Sequence, residues 1–236
     1  MNPVSLVDRS REFLAYLDGW LAALPGMALA EVAARPAQTA ILSVDIIQGF
    51  CTIGPLASPR VNAIVAPTAR LFRAAWARGV RHIVLIQDTH EPDAVEFGAW
   101  PPHCVRGTPE SEPVAEFKAL PFFDQLVQYP KNSIDSSLDT GLMAWIEAHP
   151  AVDTFIVVGD CTDLCTYQLA MHLRLDANAR QLQRRVIVPA DCVDTYDMSV
   201  ETAAQVGGMP HGAELLHAVF LYHMALNGVE VVSKIN

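Results

Sequence analysis

Residues 154–175 read TFIVVGDCTDLCTYQLAMHLRL. The first six are apolar, β-branched or aromatic, which is the length and composition of a buried strand. Gly159 ends that run, and from Leu164 to Leu175 apolar residues return at helical spacing. Thr162 or Asp163 is a natural N-cap, so Cys165 is expected in the first helical turn. A strand apolar on both faces that passes through a short turn into a helix is the repeating unit of a parallel sheet covered by helices.

The same alternation runs through the chain. Apolar, β-branched runs at 39–45, 82–88, 126–130, 185–189 and 229–233 predict further strands, and helical spacing is found at 61–79, 138–149, 163–180 and 200–227. The expected fold is α/β, a three-layer α/β/α sandwich around a mainly parallel sheet. Residues 5–34 predict an additional helix before the first strand, so the chain divides into a helical extension at 1–38 and the body at 39–236, one domain overall. That helix is expected on the outside of the sheet or on a partner subunit, and a homo-oligomer is the expected assembly. Residues 89–125, rich in Pro, Gly and charge, form a connection too long for an ordinary loop, and loops of that length are usually functional.

Of the 236 residues, 51% are hydrophobic and 18% charged, which excludes a disordered chain. Sixteen Lys+Arg against 26 Asp+Glu give a net charge of −10 with no basic stripe, so neither nucleic acid nor an anionic membrane is an expected partner. Asp8, Arg9, Arg11 and Glu12 interrupt the N-terminal apolar residues, and a cytoplasmic location is expected. Cys51, Cys104, Cys161, Cys165 and Cys192 are odd in number and scattered, which argues against a disulfide framework. With no second cysteine pair, a four-thiolate zinc site is excluded as well. Cys161 and Cys165 are therefore either one reactive thiol with a bystander or two buried side chains.

In open parallel sheets ligands bind beyond the carboxyl ends of the strands. Asp45 closes the first predicted strand, Asp88 and His90 the second, Lys131 follows the third and Cys165 the fourth. An acid, an amine and a thiol should therefore meet at one edge, and a helix N-terminus favours a thiolate or a developing oxyanion at Cys165. That combination favours a reactive Cys165. Cys161, on the turn before the helix, would matter for its backbone N–H. Asp88-Thr-His90 followed by Glu96 and His103 forms a weaker pattern, a carboxylate and imidazole set suited to zinc, manganese or iron. His211, His217 and His223 fall on the last predicted helix and read as structural.

Three motifs, VDIIQGFCTIGPL from Val44, DTHEPDAVEFGAWPPHCVRGTPESE from Asp88, and VVGDCTDLC from Val157, carry a resemblance. Over roughly residues 39–233 the chain resembles the isochorismatase-like cysteine hydrolases, most closely the nicotinamidase/pyrazinamidase family. The resemblance implies a triad of Asp45, Lys131 and Cys165, an oxyanion hole from the backbone N–H groups of Cys161 and Cys165, and a cis peptide between Asp160 and Cys161. It also implies one divalent metal ion on Asp88, His90 and His103, with Glu96 as an added ligand. That ion would bind the pyridine nitrogen of nicotinamide between Phe50 and Trp100, which match the family's ring-walling positions.

The activity implied is hydrolysis of nicotinamide to nicotinate and ammonia, through a cysteine thioester, in NAD salvage. Ser137 and Thr166 depart from the family pattern and are expected to reshape the pocket. Another small amide is the alternative substrate. A metabolite-binding or redox-sensing protein without catalysis is the remaining reading.

Overall fold

The computed structural model describes residues 5–236. Helix α1 (Leu6–Ala22) begins at Ser5, whose hydroxyl accepts the N–H of Asp8, and ends before Pro25-Gly26. Strand β1 (Gly26–Met27) and helix α2 (Leu29–Val32) follow, so the expected single helix over 5–34 is three elements. Residues 1–4 of the expected extension lie outside the described residues. Strand β2 (Thr39–Val44) leads through α3 (Gln48–Cys51), α4 (Pro59–Ala63) and α5 (Val65–Ala77) to β3 (His82–Asp88). Helix α6 (Ala115–Lys118) and three 3₁₀ turns occupy the long connection to β4 (Val127–Lys131).

Helix α7 (Leu142–Ala148) is shorter than the predicted 138–149, because Asp139 takes a left-handed conformation (φ 52°) that a helix cannot contain. Strand β5 (Thr154–Gly159), α8 (Cys165–Ala179) and β6 (Arg185–Pro189) then follow in direct succession. The predicted helix over 200–227 is two, α9 (Val200–Val206) and α10 (Ala213–Leu226). Gly207 caps α9 in the left-handed region (φ 72°) and Pro210 prevents continuation. Strands β7 (Glu230–Val232) and β8 (Lys234–Ile235) end the described chain.

Among the described residues the main sheet has six strands in the order β4-β3-β2-β5-β6-β7, every pair parallel. Alternate side chains divide the core into two halves. Ile41, Ile83, Leu85, Ile156, Val158 and Ile187 point to one side, where Leu71 and Phe72 of α5 cover them. Leu42, Val44, Val84, Ile86, Phe155 and Val157 point to the other, beneath Trp145 of α7, Leu169 and Leu173 of α8 and Leu221 of α10. Each such fully buried aliphatic or aromatic side chain contributes about 1.5–3 kcal/mol. The exception to continuous burial is β4, whose exposed Gln128 and Pro130 mark an edge strand.

Helix α1 packs on α10 of its own chain, with Phe13, Tyr16 and Trp20 meeting the ring of Tyr222. Leu29, Val32 and Ala33 join the core on the α5 side. Strand β1 pairs in parallel with β8, apart from the main sheet. None of the described helices is long and apolar enough to cross a membrane.

Strand order reverses between β2 and β5, the point where an open α/β sheet leaves a crevice. There Val44 pairs with Gly159, which has φ 124°. A Cβ on residue 159 would lie 1.9 Å from the Val44 carbonyl oxygen, in backbone that cannot step aside. Gly159→Ala should therefore lower the unfolding free energy by about 3 kcal/mol or more, measured by urea denaturation. A loss below about 1 kcal/mol would show that the crevice tolerates a side chain.

Candidate active site

Lys131 comes from the last position of the edge strand β4, yet its side chain is fully buried. Its ammonium stands 2.8 Å from Asp45 Oδ2, 2.5 Å from Asp88 Oδ1 and 3.6 Å from Cys165 Sγ. Asp45 leaves β2 with φ 58°, a conformation Asp tolerates, and its other oxygen accepts the backbone N–H of Asp88 at 2.7 Å. The register Asp88↔Lys131 between β3 and β4 sets the lysine beside the second carboxylate. Asp45, Lys131 and Cys165 are thus brought together, as the strand-end reading requires.

Burial works against every charge in this group, so each depends on its neighbours. Burial and then the Asp88 charge push the Asp45 carboxyl up to about 7, despite Lys131. Asp88 is equally buried, but Lys131 and His90 hold it below the usual carboxylate range. Lys131, although desolvated, is held well above its ordinary value by Asp45 and Asp88. Burial pushes the Cys165 thiol well up, and Lys131 only partly offsets it. Cys51, Cys104 and Cys192 are buried, and their thiols are likewise pushed up by desolvation.

The turn between β5 and α8 contains a cis peptide at Asp160–Cys161. Helix α8 begins at Cys165, and the cap position is Leu164, with no side-chain cap. Neither expected N-cap residue serves the helix. The Thr162 hydroxyl lies 2.8 Å from His217 Nδ1, and Asp163 Oδ2 lies 2.8 Å from His211 Nε2. The carbonyl of Cys161 accepts from Leu164 and Thr166. Among the described residues the N–H groups of Cys161 and Cys165 have no backbone acceptor, which leaves both available to an oxyanion.

Asp88 also belongs to a second group. One donor atom from each of Asp88, His90 and His103 lies within 4.8 Å of the others, all three residues buried. Nδ1 of His90 lies 2.8 Å from Asn132 Oδ1, and Nδ1 of His103 lies 2.8 Å from the carbonyl oxygen of Pro101. With Nδ1–H used on those oxygens, each ring keeps its Nε2 lone pair toward Asp88. His90 Nε2 is buried and makes no hydrogen bond. A carboxylate and two imidazoles arranged in this way fit a divalent transition ion. Glu96, the added ligand that the resemblance implies, stands on the 3₁₀ turn Val95–Gly98 and lines the same cavity as Asp88 and His103.

A cavity of about 40 Å³ opens beside the thiol, lined by both expected aromatic residues, Phe50 and Trp100, and by Asp45, Asp88, His103, Cys161 and Cys165. On a measure in which one water needs roughly 10–15 Å³, that volume suits a small ligand and not a polymer segment. Ile134, Leu164, Asp160 and Tyr196 also line it and escaped the sequence reading. Tyr196 follows β6, and the strand-end rule that found the other residues extends to that strand too. Ser137 and Thr166, expected to reshape the pocket, do not line it: Ile134 takes the place on the loop after β4, and Thr166 is buried in α8.

Residues 39–218 match the Isochorismatase domain family. The chain is 30% identical to Nicotinamidase 1 of Arabidopsis thaliana over 219 residues, covering 86% of this chain and 88% of that protein. It is also 30% identical to the nicotinamidase/pyrazinamidase of Mycobacterium tuberculosis over 179 residues, covering 68% and 90%. Among solved structures, a cysteine hydrolase from Pseudomonas syringae superposes with a TM-score of 0.68 at 23% identity, covering 84% of this chain and 89% of that one. A pyrazinamidase/nicotinamidase from Streptococcus mutans superposes at 0.64 and 20%, covering 82% and 99%. These two structures share the fold described above, and the family match spans most of the sheet that carries the buried lysine. On that basis the chain belongs to the isochorismatase family of hydrolases.

Proposed function

We propose that this protein is a metal-dependent amidohydrolase, and specifically a nicotinamidase converting nicotinamide and water to nicotinate and ammonia. The observation that carries the reading is the Lys131 ammonium, shared by Asp45 and Asp88 and within reach of Cys165, with Asp88 leading on to the two histidines. Support for the substrate comes from the two nicotinamidases that the chain resembles at 30% identity.

In this reading Asp45, whose carboxyl sits near neutrality, takes the proton of Cys165 as the sulfur attacks the carboxamide carbon. The oxyanion then accepts hydrogen bonds from the N–H groups of Cys161 and Cys165. Collapse breaks the C–N bond, and the proton held by Asp45 passes to the departing nitrogen, which leaves as ammonia. A water then gives its proton to Asp45 and attacks the thioester carbon. The C–S bond breaks, the acid departs, and the proton returns to sulfur. Lys131 supplies a fixed positive charge that steadies Asp88 and the sulfur while the proton passes through Asp45. Asp88, His90 and His103 would hold a divalent ion, which when bound supplies a Lewis-acid contact for a heterocyclic nitrogen. Phe50 and Trp100 flank the cavity as walls for a flat ring.

A second reading keeps this thiol chemistry on another small amide. It is favoured by Asp160, a buried carboxyl at the cavity whose Oδ1 has no hydrogen-bond partner and which a bare pyridine ring does not require. A panel of heterocyclic amides decides between them: turnover of a substituted amide far above that of nicotinamide would replace the first reading with the second.

Purified protein should release ammonia from nicotinamide, and Cys165→Ala should lower the rate by about 10³-fold or more. Cys161→Ser, which keeps the backbone N–H, should cost less than about tenfold. An active Cys165→Ala protein would sink the nucleophile assignment. Chelation should suppress activity, and His103→Ala should lower both bound metal, measured by plasma mass spectrometry, and activity by more than about 100-fold. Full metal occupancy in that variant would remove His103 from the set. Lys131→Met leaves two buried carboxylates without their cation and should cost about 3–5 kcal/mol of stability along with activity; an unfolding midpoint equal to the parent's would contradict the shared ion pair.

A further inference from the structure

We propose that His211 is a positioning residue that fixes the ring of Tyr196 as a third wall of the substrate cavity and ties that wall to the turn carrying Cys165. The inference rests on the amidase reading of the cavity. His211 lies between α9 and α10, off the helix expected to carry it. Its backbone exchanges two hydrogen bonds with Met198, each 2.8 Å, closing the neck of the segment that contains α9. Its imidazole is stacked on Tyr196, ring centroids 3.9 Å apart and planes within 17°. Nδ1 donates to the carbonyl of Tyr196 at 2.8 Å, and Nε2 lies 2.8 Å from Asp163 Oδ2. One ring therefore grips Tyr196 by its face and its backbone while its far side is anchored to the residue two before the nucleophile.

Asp163 is buried, so this hydrogen bond is shielded from water and holds its partner firmly. Tyr196 lines the cavity and meets Trp100 edge to face, centroids 6.2 Å apart. The three aromatic residues at the cavity thus arrive from different parts of the chain: Phe50 on α3, Trp100 from the long loop, and Tyr196 behind β6. The backbone before Tyr196 is already tied to the turn before α8 by the Thr162 N–H to the Asp194 carbonyl, and His211 adds the side-chain link that fixes how the Tyr196 ring faces the thiol. A histidine serving general stability would not need to stack on a cavity residue and bond to that residue's carbonyl as well.

The test is a double-mutant cycle of His211→Gln and Tyr196→Leu, read as the KM and kcat of nicotinamide hydrolysis. Each single variant should raise KM about five- to tenfold with kcat changed less than about threefold, the scale of one aromatic contact. Because His211 acts through Tyr196, the double variant should match Tyr196→Leu within about twofold. Multiplicative KM effects, or a fall in kcat alone, would overturn the proposal. Asp163→Asn carries the same expectation and replaces His211→Gln should that variant not fold. A second readout does not depend on the substrate: alkylation of Cys165 by N-phenyl-iodoacetamide relative to iodoacetamide. Both variants should lose the preference for the ring-bearing reagent to the same extent. If nicotinamide is not turned over yet this preference falls equally in both, the substrate reading fails and the positioning role stands. If nicotinamide is turned over and the His211 variant keeps parental KM and preference, the positioning role fails alone.

Discussion

One buried ammonium organises this molecule. Lys131 has no contact with solvent and two carboxylates within hydrogen-bond reach, so three charges are desolvated together. Desolvating a lone ion costs several kcal/mol, and here only mutual attraction at short range offsets that cost. The requirement constrains the backbone as well as the side chains. β4 must pair with β3 in the register that sets residue 131 beside residue 88, and Asp45 must turn out of β2 in a left-handed conformation to reach the same point. The sheet order and the strand ends follow from bringing these groups to one place.

The same ammonium explains how two chemical centres share one wall. Asp88 gives Oδ1 to Lys131 while the group as a whole faces His90 and His103. The imidazoles are oriented from behind by Asn132 and by the Pro101 carbonyl, each fixing which ring nitrogen keeps its lone pair. A change at Asp88 would be felt by the thiol side and the imidazole side alike, because neither has its own copy of the carboxylate.

Much of this was legible before any coordinates. Strands buried on both faces carry an unbroken apolar signal, and all six of the main sheet fall within two residues of their predicted bounds at either end. The groups at the strand ends followed from a general property of parallel sheets. What stayed hidden depends on contacts distant in sequence. Thr162 and Asp163 have the composition of helix caps, but histidines from the 211–217 region claim both side chains. Tyr196 sits in a stretch without periodicity, and only its neighbours in space show that it faces the cavity. The spacing at 61–79 and at 200–227 predicts one helix each, because apolar periodicity bridges a break that a single residue, or Gly207 with Pro210, imposes. Glu96 has the right chemistry for a ligand, and no linear pattern reports that its 3₁₀ turn sets it on the cavity wall.

The small two-stranded pairing at the base of the fold has a bearing on the order of assembly. Pro25, Met27 and Leu29 exchange backbone hydrogen bonds with Ser233 and Asn236, so residues more than two hundred positions apart complete one another's ladder. During synthesis the early partner emerges long before the late one exists. The segment around β1 must wait, its donors and acceptors served by water, while the sheet forms between the two ends. The clasp therefore closes after the strands between its two ends have been made, and closing it buries Leu29 and Val32 against the core.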